Sequence, residues 1–331
     1  MLAAWPLDDS TVPPSFDPDS SPLCHFDYRD AQDRARALDY READVPFILT
    51  NHPGLAATME RWGQPGYLER ALGSEQFRVD VSPSNHFRNA EPPFPSDWVP
   101  HFNSTRMTVA DFKAAVAATP APRNDEPHLY LRFCGDEVEA VLRRDLPFFF
   151  PASDAERDPV LMDSEAVPEH VRCRWSGAAG TVVETHFDGL HNTVALIEGA
   201  RRWILAPPQE CAHCYMIARD EHPDAPCYRH CEVDWSRPDL TRHPRFTNMS
   251  ALQFILRPGE MLFIPSFWLH AIVHLEPSLQ CNAFSEQVSE RGRDAIEACG
   301  FVGYDEVELE EEEEGAEYQR LQREFHVKTN S

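Results

Sequence analysis

Thr185-His186-Phe187-Asp188 places an imidazole and a carboxylate two residues apart, and His270 follows far downstream. In a strand, residues i and i+2 point to the same face, so His186 and Asp188 would project side by side. Two imidazoles and one carboxylate on one face of a metal leave three octahedral positions open. That is the ligand set for a non-haem Fe(II) that must take O2 and a chelating co-substrate together. Four protein ligands would leave too few positions, and thiolates would favour structural zinc. The chain has 15 histidines, so an isolated H-x-D also reads as an ordinary surface or core pair, and the surrounding elements have to decide.

Those elements read as short strands. From His128 to Val288, β-rich runs follow one another at 128–133, 181–188, 193–198, 201–207, 252–256, 260–265, 270–275 and 279–284. Turn signals such as Glu198-Gly199 and Pro258-Gly259 separate most of them. Strands without a helix between each pair predict a sandwich or barrel rather than a parallel βαβ sheet. Before them, helical spacing marks 31–42, 56–62, 67–72 and 109–118, Val45–Leu49 reads as a strand, and many prolines keep the helices short. Residues 286–299 read as a closing helix.

In this context the chain resembles the JmjC/cupin family of Fe(II)- and 2-oxoglutarate-dependent oxygenases. The resemblance rests on HFDGLHNTVALIEGARRWILAPP from His186 and RPGEMLFIPSFWLH ending at His270, and covers about His128 to Phe284. Within the family it is most like the asparaginyl-hydroxylase branch acting on hypoxia-inducible factor. The resemblance implies a mainly β protein with α elements: a double-stranded β-helix (jelly-roll) core, an N-terminal helical region and a C-terminal helix. It implies His186, Asp188 and His270 as iron ligands, with Tyr130, Asn192, Arg201 and Asn282 around the co-substrate. Arg201, fifteen residues after His186, stands where close relatives usually carry Lys. A guanidinium can hold a carboxylate bidentately, and Lys113 and Lys328 are the only lysines here, so Arg can fill the role. Arg132 is the other basic residue suited to it. Val183 departs from the family's Ser or Thr, with Thr181 or Thr185 as compensating candidates. The plain alternatives are a strand-end charge for Arg201 and a core aromatic for Tyr130.

The implied organisation is an arm over 1–24, an N-terminal α/β region over 25–125, the barrel over 126–300 and an acidic tail over 301–331. Cys211, Cys214, Cys227 and Cys231, with His213 and His230 nearby, have spacing that could close a zinc site; the alternative is small buried thiols in a loop. His191, His274, Trp203 and Trp268 read as core or rim residues, and Trp235 as packing where the insertion returns to the barrel.

Composition narrows the function classes. A 42% hydrophobic chain of 331 residues with 20 Phe and 7 Trp can fill a large core. No stretch is long and apolar enough to span a membrane, and the N-terminus has no secretory pattern. Nine Cys, an odd number, predict reduced thiols and an intracellular setting. Net charge is −25; residues 305–331 hold ten acids and three bases, a net −7, which leaves −18 on the rest. That field disfavours nucleic acid and favours a basic partner. Glu310–Glu314 reads as a solvated run, with docking of a basic partner as the alternative.

The expected activity is therefore that of a 2-oxoglutarate-dependent dioxygenase hydroxylating a protein or peptide side chain, with release of succinate and CO2. The alternatives are an N-methyl-lysine or N-methyl-arginine demethylase, a tRNA-base hydroxylase of the same family, and a binding protein that keeps the fold without turnover. The sequence assigns no oligomeric state.

Overall fold

A computed structural model describes residues 23–89, 100–119, 122, 126–151, 153–162, 168–217, 229–285 and 287–301. The arm over 1–22, Cys227 and the tail from 302 onward lie outside these residues. Fourteen strands are described. They are β1 (His25–Asp27), β2 (Phe47–Thr50), β3 (Phe77–Ser82), β4 (His86–Phe87), β5 (Asn103–Met107), β6 (His128–Cys134) and β7 (Val171–Ser176), followed by β8 (Val182–His186), β9 (His191–Glu198), β10 (Arg201–Ala206), β11 (Leu252–Leu256), β12 (Met261–Ile264), β13 (Leu269–His274) and β14 (Ser278–Ser285). They form a nine-stranded sheet, β1-β2-β12-β9-β14-β7-β6-β3-β5, and a five-stranded sheet, β11-β10-β13-β8-β4. This is the jelly-roll expected from the sequence.

The helices are α1 (Ala31–Glu42), α2 (Pro53–Trp62), α3 (Tyr67–Leu72), α4 (Val109–Ala118), α5 (Gly135–Asp145), α6 (Cys211–Cys214) and α7 (Glu290–Glu297). Their starts are chemically marked. Asp30 accepts from the Gln32 and Asp33 amides at 2.7 and 3.2 Å, and Thr108 and Ser289 cap α4 and α7. Pro53 opens α2, where a missing N–H costs nothing. At the β9–β10 turn Gly199 has φ +75°, and an added Cβ would lie 2.3 Å from the Pro277 carbonyl oxygen, so a side chain cannot be accommodated there.

Strand alternation sorts the core into two layers. Phe47, Leu49, Ala195, Ile197, Met261 and Phe263 face the helices, packing with Leu55, Leu68, Phe112 and Leu142. Their neighbours Ile48, Val194, Leu196, Leu262 and Ile264 face inward against Trp203, Leu205, Phe254 and Ile272 of the smaller sheet. The β14-β7-β6-β3 end of the interior is instead lined by polar side chains, among them Ser278, Asn282, Arg174, Tyr130 and Asp80. Strands from the first 125 residues enter both sheets, β2 on β12, β3 on β6 and β4 on β8, so that region is part of the barrel wall as well as its cover.

Two expectations about cysteine change. The predicted thiols include two disulfides, Cys173–Cys281 and Cys211–Cys299. Cys173 and Cys281 are directly opposite partners on β7 and β14, where the pairing register brings their Cα atoms to 4.0 Å. The zinc reading of Cys211, Cys214, Cys227 and Cys231 loses Cys211 to its bridge with Cys299. The Cys231 thiol donates to the Cys214 carbonyl at 2.5 Å, and Trp235 Nε1–H donates to Cys231 Sγ. Cys214 and Cys231 are therefore small buried groups of the insertion core.

Candidate functional site

The two histidines and the aspartate predicted to share a metal do converge. Strands β8 and β13 are antiparallel neighbours with His270 directly opposite His186, and Asp188 follows just beyond the end of β8. Its backbone carbonyl accepts from the Phe267 amide at 2.8 Å, tying the segment to the turn before β13. Asp188 Oδ2 is 3.5 Å from His270 Nε2 and Oδ1 is 4.0 Å from His186 Nε2; one ligand atom from each residue lies within 4.8 Å of the others. Among the described residues this is the one group of His, Cys, Asp or Glu placed to hold a metal ion.

Each imidazole is set by a backbone carbonyl. His186 Nδ1 is 2.8 Å from the Glu184 carbonyl and His270 Nδ1 is 2.9 Å from that of Trp268. A carbonyl only accepts, so Nδ1 carries the proton and the Nε2 lone pair faces the cluster. Burial, then the neighbouring His270, push His186 down to about 3. Burial alone would raise Asp188, but His270 and His186 outweigh it and hold the carboxyl at about 2. Near neutral pH both present lone pairs, as a cation requires. Asn192 Nδ2 donates to Asp188 Oδ2 at 3.0 Å, so this predicted co-substrate residue orients a ligand carboxylate.

Beside the cluster lies a wall of buried polar groups with unmet hydrogen-bonding capacity. Arg201 is fully buried; its Nε donates to Ser278 Oγ at 3.0 Å, and its Nη2 to the carbonyls of Arg174 and Ser278 at 2.9 and 3.0 Å. Among the described residues its Nη1, the Tyr130 hydroxyl, Asn282 Nδ2 and His274 Nε2 have no hydrogen-bond partner. Burial lowers Arg201 to about 10, so it stays charged at neutral pH. Leaving such groups unsatisfied costs about 1–3 kcal/mol each, and more for a charge, which a bound carboxylate would remove. Tyr130, Arg201 and Asn282 supply the donors a dicarboxylate's distal end needs, so the residues present fit 2-oxoglutarate. Arg132 is not the alternative basic residue, because its Nε lies 2.6 Å from Asp80 Oδ2.

Val183 packs with Phe87, Phe102 and Tyr130, and the Thr181 hydroxyl donates to the Ala178 carbonyl, so Thr181 does not replace the missing Ser or Thr. His274, read as a core or rim residue, is fully buried against Tyr130, with ring centroids 5.6 Å apart and its Nδ1 2.8 Å from Ser278 Oγ. Four residues after His270, it shares that residue's strand face. Arg174, which the sequence reading missed, donates from Nη1 to Asn282 Oδ1 at 2.6 Å and so fixes which end of the Asn282 amide carries the NH2. Glu184, beside His186, is bonded by His86 at 3.2 Å and by Arg88; these contacts outweigh its burial and hold it at about 2. His230, from the insertion between β10 and β11, lays its ring 5.3 Å from that of His186.

Comparison with known proteins places this geometry. Over 225 residues, 66% of this chain and 64% of the relative, the sequence is 24% identical to tRNA wybutosine-synthesizing protein 5 of Gallus gallus. It is 26% identical over 249 residues to Jumonji C domain-containing protein 5 of Drosophila melanogaster, covering 74% and 55% of the two chains. It is 30% identical over 114 residues to human HSPB1-associated protein 1, covering 34% and 23%. The chain thus spans less than two thirds of the length of each. None of the three is the hypoxia-inducible-factor hydroxylase expected from the motifs, so the likeness stands at the level of the family and not of that branch. Residues 34–290 match the model of the cupin-like domain, and the chain belongs to that family.

Proposed function

We propose that this protein is an Fe(II)- and 2-oxoglutarate-dependent oxygenase that hydroxylates a C–H bond of its substrate. The observation that carries the reading is the juxtaposition of His186, Asp188 and His270, both imidazoles fixed with Nε2 inward, and the unsatisfied donors of Tyr130, Arg201 and Asn282. When bound, iron and 2-oxoglutarate would supply an oxidant that puts one oxygen atom of O2 into a C–H bond and the other into succinate, with release of CO2. The chain's own residues bind and orient. His186, Asp188 and His270 would hold the metal on one face, Asn192 fixes the Asp188 carboxylate, and Arg201 with Tyr130 would fix the distal carboxylate of the co-substrate. No side chain is needed as a general base.

A protein or peptide side chain is the first substrate reading, and removal of an N-methyl group by the same hydroxylation belongs with it. A tRNA base is the second, favoured by the likeness to tRNA wybutosine-synthesizing protein 5 across 66% of this chain. The test is anaerobic titration with Fe(II) and then 2-oxoglutarate, followed by O2 and measurement of succinate. A metal-to-ligand charge-transfer band and iron-dependent succinate release are expected. A protein that binds iron but neither binds nor consumes 2-oxoglutarate would return the fold to a binding role.

A further inference from the structure

Register places four arginines in one row across the wall of the larger sheet. Arg106 on β5 pairs with Arg78 on β3, Arg78 with Arg132 on β6, and Arg132 with Arg174 on β7. Directly opposite side chains share a face, and like charges so placed repel. With strands about 4.8 Å apart, the row runs roughly 14 Å. Side-chain exposure falls along it, from 58% at Arg106 to 33% at Arg78 and 20% at Arg132, so it leads from solvent into the barrel.

The outer three arginines are paired with acids. Fully buried Asp80 lies 2.7 Å from Arg78 Nε and 2.6 Å from Arg132 Nε, and Glu137 lies 3.6 Å from Arg106. Arg174, the inner end, differs. Among the described residues it has no acid within ion-pair distance, and its one side-chain hydrogen bond goes to the neutral Asn282 amide. Arg174 as a residue is half-buried. Burial lowers its pKa, as do the charges of Arg132 and Arg172, while Tyr130 and Asp188 favour its charged form. In the proposed loaded state, Asp188 serves the metal and the distal carboxylate of 2-oxoglutarate serves Arg201. The Arg174 charge is then left without a partner beside the site.

We propose that Arg174 is the anchor for an oxyanion carried by the substrate itself, and that the arginine row marks the route by which that group enters. This inference rests on the oxygenase reading and deepens it: the substrate is an anion near its reacting carbon, bearing a phosphate or a carboxylate. The −25 net charge does not oppose this, because the Debye length is about 8 Å at physiological ionic strength and the local guanidinia decide.

The test uses the full chain loaded with Mn(II) and 2-oxoglutarate under nitrogen, with inorganic phosphate or acetate as the probe. Paramagnetic broadening of the 31P or methyl 1H line reports proximity to the metal. Saturable broadening by at least one probe is expected, and the tighter of the two identifies the group. Arg174→Gln, whose side-chain NH2 can still donate to Asn282 Oδ1, should weaken that binding about ten- to a hundred-fold and lower 2-oxoglutarate affinity by much less than Arg201→Gln does; Arg174→Lys, which keeps the charge but loses the fork, should fall between wild type and Arg174→Gln in probe binding. Unaltered probe binding in Arg174→Gln, or no saturable binding in the wild type, overturns the inference and leaves the oxygenase reading intact. A loss of 2-oxoglutarate affinity in Arg174→Gln as large as in Arg201→Gln assigns Arg174 to the co-substrate and also overturns it. A wild-type protein that does not bind 2-oxoglutarate removes both.

Discussion

Arg201 Nη2 donates to the backbone carbonyl of Arg174 across 2.9 Å, so the guanidinium beneath the metal cluster is fixed by main chain on β7 as well as by Ser278 on β14. Three bonds hold it and leave Nη1 for a ligand. Arg201→Ala should therefore weaken 2-oxoglutarate about ten- to a hundred-fold in an anaerobic titration while Fe(II) affinity stays unchanged. Arg201→Lys should keep only part of the affinity, because one ammonium cannot make the anchoring bonds and also face the ligand. Equal co-substrate affinity in wild type and Arg201→Ala would place the distal carboxylate elsewhere.

Removing a metal ligand should separate chemistry from folding. His186→Ala or Asp188→Ala is expected to weaken Fe(II) binding by more than about a hundred-fold and to abolish 2-oxoglutarate turnover. The unfolding midpoint of the metal-free protein should barely move, since the inward apolar layer does not include these residues. Succinate release at the wild-type rate from either variant would take that residue away from the metal.

Asp145, at the end of α5, gathers Trp62 Nε1, the Tyr67 hydroxyl, Arg61 and Arg144 around a fully buried carboxylate. Burial alone would raise its pKa, but the bonds from Arg144, Trp62, Tyr67 and Arg61 outweigh it and the pKa is lowered. A depressed folded pKa stabilises the native state above the unfolded value of about 3.9, and that stability is lost as pH falls through the folded value. Asp145→Ala should cost about 2–4 kcal/mol in urea unfolding at pH 7. Below about pH 4, stability should fall less steeply in Asp145→Asn than in wild type. Parallel acid limbs would show that Asp145 does not titrate with unfolding.

Among the described residues two disulfides leave Cys24, Cys134, Cys214 and Cys231 as thiols, which with Cys227 makes five cysteines outside the bridges. Unfolded, unreduced protein should react five times with a thiol reagent, and nine times after reduction. Reduction should lower stability by about 2–4 kcal/mol for each bridge lost. Nine reactive thiols before reduction would mean that both pairs are only close neighbours.

β9, β10, β12 and β13 were legible because their apolar runs are nearly continuous and bounded by Gly and Pro turns. They lie inside the two sheets, where hydrophobicity is the dominant signal, and not at their edges. β3 and β7 escaped notice. In Phe77–Ser82 and Val171–Ser176 the apolar residues face the helices, and Arg78, Asp80, Arg172 and Arg174 face the interior. Inward charge inverts the usual rule, and the pairing register that aligns the arginines is a three-dimensional property. Arg174 was missed for that reason, whereas Arg201 sat at a family spacing. The Cys spacing suggested zinc because a sequence does not show that Cys299 lies beside Cys211. Net charge sums over a surface and does not see the barrel interior, so it does not by itself disfavour a nucleic acid.

The insertion between β10 and β11 has its ends pinned by the Leu205–Leu252 pair, on strands already joined along their length. Its two attachment points stay adjacent whatever the segment between them contains, and closing a longer loop adds only about 0.6 kcal/mol for each doubling. His230 reaches the metal cluster from this segment, whereas His186, Asp188 and His270 all lie outside it. Changes of length can therefore be absorbed between these pins, whereas a change at His230 or at Cys231, whose amide donates to the Thr185 carbonyl at 2.9 Å, is felt on the strand that presents His186.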